Sequence, residues 1–289
     1  MSKTVKLILA IIAIAVPLYL LVGVAPLIPK ISSFGYAANT VLNRLVSVCC
    51  SLLISAICFI IVKVFLKRKI GITKKNFLYG FLSIGWIMMI YTICNFFSNF
   101  PSSVSFADMD LSVLCVDLIA TLIGCFEIGL VEEAIFRVLS INLFVWVFGE
   151  DKKGKTIAIF ASSILFGFAH ICNLIAISGI INKTIAQVVY AFIIGFYFAV
   201  SYVKAENILP AITYHALFDY ALYAAHCFYP KELLNETVTT DVPFLDAMIN
   251  VAWYVPILIY SLLLYTGATD RIKCKIKTLF KRTFRKKKN

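Results

Sequence analysis

Charge is scarce in this chain. Asp, Glu, Lys and Arg make up 15% of its 289 residues, 61% are hydrophobic, and the mean hydropathy is +0.93. A water-soluble domain of this length needs far more polar surface, so that class is excluded. Histidine is scarcer still, with three copies. Nine cysteines occur, but none in a Cys-x-x-Cys or other metal-ligand spacing, and no His-Glu-x-x-His is present. An odd count inside apolar runs argues against a disulfide framework and for small packing side chains. Cys172 lies two positions after His170, nearly on the opposite helix face, and reads as packing too. No internal repeat appears, and no stretch is long and polar enough to fold as a soluble domain.

What is present is a series of long apolar runs. A helix needs ~20 predominantly apolar residues to cross the hydrocarbon core. Eight stretches meet that test: 7–28, 45–66, 77–99, 111–132, 156–177, 184–203, 208–228 and 247–267. The fourth is expected to continue as helix toward Trp146, since no proline interrupts it. The reading is an all-α polytopic membrane bundle of about eight helices. Residues 1–110 hold the first three, 111–230 a functional core, and 231–289 the last helix and a basic tail. The first run exceeds a signal peptide's apolar region and has no clear cleavage site, so it reads as a retained anchor.

The bases are unevenly placed. Lys3, Lys6, Lys63 to Lys75, Lys152 to Lys155, Lys204 and the tail from Arg271 to Lys288 fall on one side of this arrangement. Only Lys30, Arg44, Lys183 and Lys231 fall on the other. The positive-inside rule then makes both termini cytoplasmic, as an even number of spans requires. The net charge of +12 sits mainly in the tail and suits anionic lipid headgroups better than nucleic acid. The expected location is a bacterial plasma membrane, with membrane lipids as partners and no nucleic acid.

Ionisable groups at bilayer depth are costly and usually functional. The fourth span holds Asp117, Glu127, Glu132, Glu133 and Arg137; the fifth holds His170; the seventh holds His215 and Asp219. Glu133 and Arg137, four apart, share a helix face and can pair. Glu132 is turned about 100° from Glu133, which leaves it free for a different role, such as general base. His215 and Asp219 are also four apart, so Asp219 can fix the imidazole tautomer or stand beside it at a metal. Taken singly, each motif is equally a helix–helix contact.

In order, Glu132-Glu-x-x-x-Arg137, Phe166-x-x-x-His170 and His215-x-x-x-Asp219 resemble the CPBP family. These are the CAAX proteases and the bacteriocin-processing or self-immunity (Abi) proteins. The resemblance runs through 131–220, including Ser162-Ser163-Ile-Leu-Phe-Gly167 and the Pro210-Ala-Ile-x-x-His215 approach. It implies an intramembrane endopeptidase open toward the cytoplasm, acting on a membrane-associated or CAAX-like peptide. Glu132 would activate water, His170 would help hold it, and Glu133 and Arg137 would support both. His215 with the residue four later would stabilise the oxyanion. The chain departs from the family form that carries Asn at this last position. Asp219 must then donate as the neutral acid, orient His215 or ligate a metal, because an ionised Asp has no proton to donate. The reading favours no cofactor; zinc on Glu132, His170, His215 and Asp219 is the alternative. Two further readings stand beside it: a non-catalytic immunity or scaffold protein of the same fold, and a proton-coupled transporter using Asp117, Glu127 and Asp219.

Overall fold

In the computed structural model of the chain, the described residues are 1–24, 27–101, 109–176, 179–229, 234 and 239–271. The basic tail beyond Arg271, and Lys231 with it, lies outside them. The described elements are helical, in the order α1 (Lys3–Tyr19), α2 (Tyr36–Ile60), α3 (Lys74–Leu78), α4 (Trp86–Asn99), α5 (Leu111–Glu133), α6 (Asn142–Phe148), α7 (Lys152–Ala169), α8 (Asn173–Ala176), α9 (Ile181–Ala205), α10 (Leu209–His226), α11 (Phe244–Ala252) and α12 (Val255–Tyr265). Short polar residues set several starts by accepting orphan N–H groups of the first turn. Ser2 caps α1, Thr73 caps α3, Asp110 caps α5 and Asp151 caps α7.

Among the described residues, six helical stretches are long and apolar enough to cross a membrane: Lys3–Gly23, Tyr36–Phe65, Leu111–Phe148, Lys152–Cys172, Ile181–Ala205 and Phe244–Tyr265. A seventh is a bent pair, Lys74–Ile84 and Trp86–Asn99, meeting at 60°. The helix α10, expected as a span at 208–228, falls outside this set, so eight is reduced to six or seven by this test. Its 18 residues carry His215, Asp219 and three tyrosines, which dilute its apolar character. The expected continuation of the fourth span does occur. Residues Leu111–Phe148 form one helical run, with a π-helical stretch, Ala134–Ile141, inserted straight after Glu133.

The bend before α4 has a local cause. Gly85 abuts the Tyr214 ring so closely that an added Cβ would sit 2.0 Å from it. The Tyr214 hydroxyl donates to the Phe81 carbonyl at 2.9 Å, and its ring stacks on Phe81 at 4.6 Å.

Contacts between helix ends fall into two groups. At one end Lys3 lies over Phe148 and Lys6 over Trp146, Arg68 pairs with Glu150 at 2.7 Å, and Lys204 pairs with Asp270. Asn207 donates there to the Thr73 carbonyl at 3.0 Å. At the other end Tyr36 donates to Asp117, Thr121 meets Cys227, Phe100 packs on Phe228 and Asp241 accepts from Asn182. The basic residues assigned to one side from the sequence, where described, gather at the first end.

The core is densest around α5 through α7, α9 and α10. Every residue from 133 to 145 is buried, as is most of 191–202.

Candidate active site

Three close helix contacts build the site. The first is between α5 and α10 at Gly129, where a Cβ would come within 3.1 Å of the Ala216 nitrogen and 3.2 Å of the Ile212 carbonyl. A side chain here would crowd the two backbones, and one turn later α5 delivers Glu132 and Glu133 against His215. The second is between α7 and α9 at Gly167, where a Cβ would lie 2.7 Å from the Val188 carbonyl. The third is Gly195 of α9, which receives the Phe166 ring.

Within this frame His215 is the hub. Its Nδ1 lies 2.8 Å from Glu133 Oε1, and its Nε2 lies 3.5 Å from Glu132 Oε2 and 3.6 Å from Asp219 Oδ2. Three carboxylates therefore surround one imidazole, one on the Nδ1 side and two on the Nε2 side. The ring is stacked on Phe198 at 5.4 Å and meets the edge of Phe166 at 5.8 Å, so its plane is fixed as well.

Glu133 holds more than His215. Its other oxygen is 3.2 Å from Arg137 Nε, and both side chains are fully buried. The Arg137 guanidinium also lies over the Phe166 ring at 4.3 Å, and its Nη2 is 3.5 Å from the Gly195 carbonyl. The expected Glu133–Arg137 pair is present, and it forms the floor of the site.

His170 stands where α7 tightens into a 3₁₀ turn. Its Nδ1 donates to the Phe166 carbonyl at 2.9 Å, which leaves Nε2 as the nitrogen with a free lone pair. Its ring meets Phe166 edge-on at 5.1 Å. No hydrogen bond or ion pair joins His170 to Glu132 or His215 among the described residues, yet both imidazoles share the same phenyl ring. They are thus level, although His215 comes six residues into its helix and His170 follows all of α7.

Of the roles left open for Asp219, the contact on His215 Nδ1 is made by Glu133, while Asp219 faces Nε2. Glu132 and Asp219 are 21% and 24% exposed. Ile128 and Tyr223, one helical turn away on the same two helices, line a cavity.

The zinc alternative can be judged on these donors. Among the described residues no group of three or more His, Cys, Asp or Glu is disposed to hold a metal ion. Glu133 engages His215 Nδ1 and Arg137, which leaves Glu132 and Asp219 beside Nε2. The other acids at depth have structural partners: Asp117 accepts from Tyr36, and Glu127 accepts from Ser47 and Ser51.

Residues 115–221 match the family model described as Rce1-like, type II CAAX prenyl endopeptidase Rce1-like. Over that stretch the chain is similar to this family. The resemblance to the CPBP family drawn from the three motifs is borne out, and all three lie inside the matched stretch. Comparison with curated proteins and with solved structures gives no match. The matched stretch contains most of α5, all of α6 through α9 and most of α10, among them the elements that build the His215 hub.

Proposed function

We propose that the chain is an intramembrane endopeptidase that hydrolyses a peptide bond with a water activated by Glu132. The observation that carries this reading is the placement of His215 Nε2 between Glu132 and Asp219 while Glu133 holds Nδ1. The Rce1-like match, to a protease family, supports it.

The chemistry follows from the roles each atom can take. Glu132 is partly open and free of Arg137, so its carboxylate can accept the proton of a water held beside it. The hydroxide formed attacks the scissile carbonyl. His215, with a proton on Nε2, donates toward the oxyanion, and Glu133 on the opposite nitrogen steadies the charge on the ring. Asp219, near the same Nε2, keeps that N–H oriented. His170 offers its Nε2 lone pair to the water, and Glu132 returns its proton to the leaving amine as the tetrahedral intermediate collapses.

The test is hydrolysis by purified protein in nanodiscs. Glu132→Gln and His170→Ala are expected to lower the rate by roughly 10²–10⁴-fold at unchanged abundance. Full hydrolysis by both variants would show that Glu132 and His170 do not carry the reaction, and no hydrolysis by wild type would remove the peptidase reading.

A further inference from the structure

A cavity of about 470 Å³ lies between the segment that follows α1 and the first turns of α2. Ile28, Pro29 and Lys30 form one wall, and residues of α2 from Thr40 to Cys50 form the other. A clasp fixes the two walls. The Asn43 side-chain amide donates to the Ile31 carbonyl at 2.8 Å, and its oxygen accepts from the Ile31 N–H at 2.7 Å. The neighbours of that clasp in sequence, Lys30 and Arg44, are both bases and both line the cavity. No acid lines it among the described residues. Two like charges gathered in one cavity repel, and an anion between them removes that cost.

Arg44 is only partly neutralised from elsewhere. Its pair with Glu127 is 3.8 Å long, and its side chain is 34% exposed. Glu127 Oε1 already accepts from the Ser47 and Ser51 hydroxyls. Asp117, held by Tyr36, lines the neighbouring cavity rather than this one. Lys30, Arg44 and Glu127 together leave one positive charge, the complement of a phosphodiester. The guanidinium fork suits phosphate oxygens, which accept two parallel N–H bonds.

Depth matches a lipid headgroup. Arg44 and Lys63 stand nineteen residues apart on the helical run Tyr36–Phe65, a separation of ~29 Å. The hydrocarbon core is ~30 Å thick, so with Lys63 at one boundary Arg44 lies at the other. Below the cavity, Leu53 and Ile57 continue the flank of α2 that Cys50 begins, at the spacing of one helix face. Both are exposed and apolar, as a surface for an acyl chain requires.

We propose that this cavity holds the phosphate of an anionic glycerophospholipid on Arg44 and Lys30, with an acyl chain along Cys50, Leu53 and Ile57. The site stands apart from the peptidase reading, because none of its residues belongs to the catalytic cluster. A free phosphate would fill the cavity and leave the apolar flank unused.

The test is native mass spectrometry of the full-length protein, delipidated in mild detergent. It is titrated separately with phosphatidylglycerol, phosphatidylcholine of the same acyl chains, and glycerol phosphate. One phosphatidylglycerol per chain is expected, bound roughly tenfold or more tighter than either alternative. Arg44→Gln and Lys30→Gln should each weaken it on the order of 10-fold. Lys183→Gln removes a base from the start of α9 at the same end of the bundle and should leave binding unchanged. Lys30 is exposed, so its replacement leaves the packing intact, and that variant decides the matter if Arg44→Gln fails to fold. Equal retention of the two lipids would overturn the proposal, as would Lys30→Gln binding as tightly as Lys183→Gln. Glycerol phosphate bound as tightly as the lipid would show a site for free phosphate, and the lipid assignment would fall.

Discussion

Glu133 carries the heaviest load of any side chain here, since one carboxylate neutralises Arg137 and orients His215. Fully buried charges are tolerated only when paired, and removing one partner leaves the other stranded. Arg137→Met should therefore cost roughly 3–5 kcal/mol, seen as a lower unfolding temperature in detergent and lower cellular abundance. Pairing it with Glu133→Gln removes both charges and should recover a good part of that loss. If the single substitution is as stable as wild type, the ion pair is not the floor of the site. The donor arrangement makes a second prediction at this scale. With Glu133 and Arg137 occupying the donors as they do, exhaustive chelation should leave the hydrolytic rate within about twofold, a change no larger than ~0.4 kcal/mol in barrier. A loss restored specifically by zinc would overturn the metal-independent route.

Elements bring these residues together through small contacts that sequence spacing does not disclose. Spacing of four placed Glu133 beside Arg137 and His215 beside Asp219, and the order of the motifs pointed to one shared site. All of that was legible, because period alone decides which side chains share a helix face. The level of His215 was not legible, because it depends on how deep α10 starts. Neither was the Glu133–His215 contact, which needs α5 and α10 to meet at Gly129. The helix α10 itself read as a span from its apolar residues, but its polar load leaves it short of the other spans.

Gly85 offers a test of how the bend before α4 supports the site. Its Cβ would collide with Tyr214, the residue before His215, and with the Phe81 carbonyl at 2.6 Å. Gly85→Ala should destabilise by ~1–3 kcal/mol through overpacking and lower kcat as Tyr214 shifts. Trimming Tyr214 to Leu in that background should restore stability in part.

The start of α9 gives a pH-dependent counterpart. Asp241 accepts from the Asn182 N–H at 3.0 Å and the Lys183 N–H at 3.0 Å. The Asn182 bond above all holds the exposed carboxyl below the ordinary aspartate range, although desolvation opposes it. A depressed folded value means the tether is fully present above the unfolded value, ~3.9, and is lost as pH falls through the folded one. Hydrogen exchange at Asn182 and Lys183 should therefore quicken below about pH 4, and Asp241→Asn should abolish that dependence. Unchanged exchange across this window would show that the carboxylate does not hold α9.

At the scale of the molecule, Lys3, Lys6, Arg68 and Lys204 all make their contacts at one end of the bundle. By the positive-inside rule that end, and both termini with it, is expected on the cytoplasmic side. A cytoplasmic reporter fused to either terminus should be active, and a periplasmic reporter at the same places silent. A peptide can approach Glu132 from that base-rich end or from the side bearing Asp117, where Ile128 and Tyr223 line a cavity, and the cavity side is the route expected here. Vesicles of opposite orientation separate the two approaches. Peptide added to right-side-out vesicles should be cleaved at the nanodisc rate, and inverted vesicles should respond only after permeabilisation. Cleavage confined to inverted vesicles, with the terminal reporters still cytoplasmic, would mean that substrate enters from the base-rich end. Silent cytoplasmic reporters would instead reverse the whole bundle.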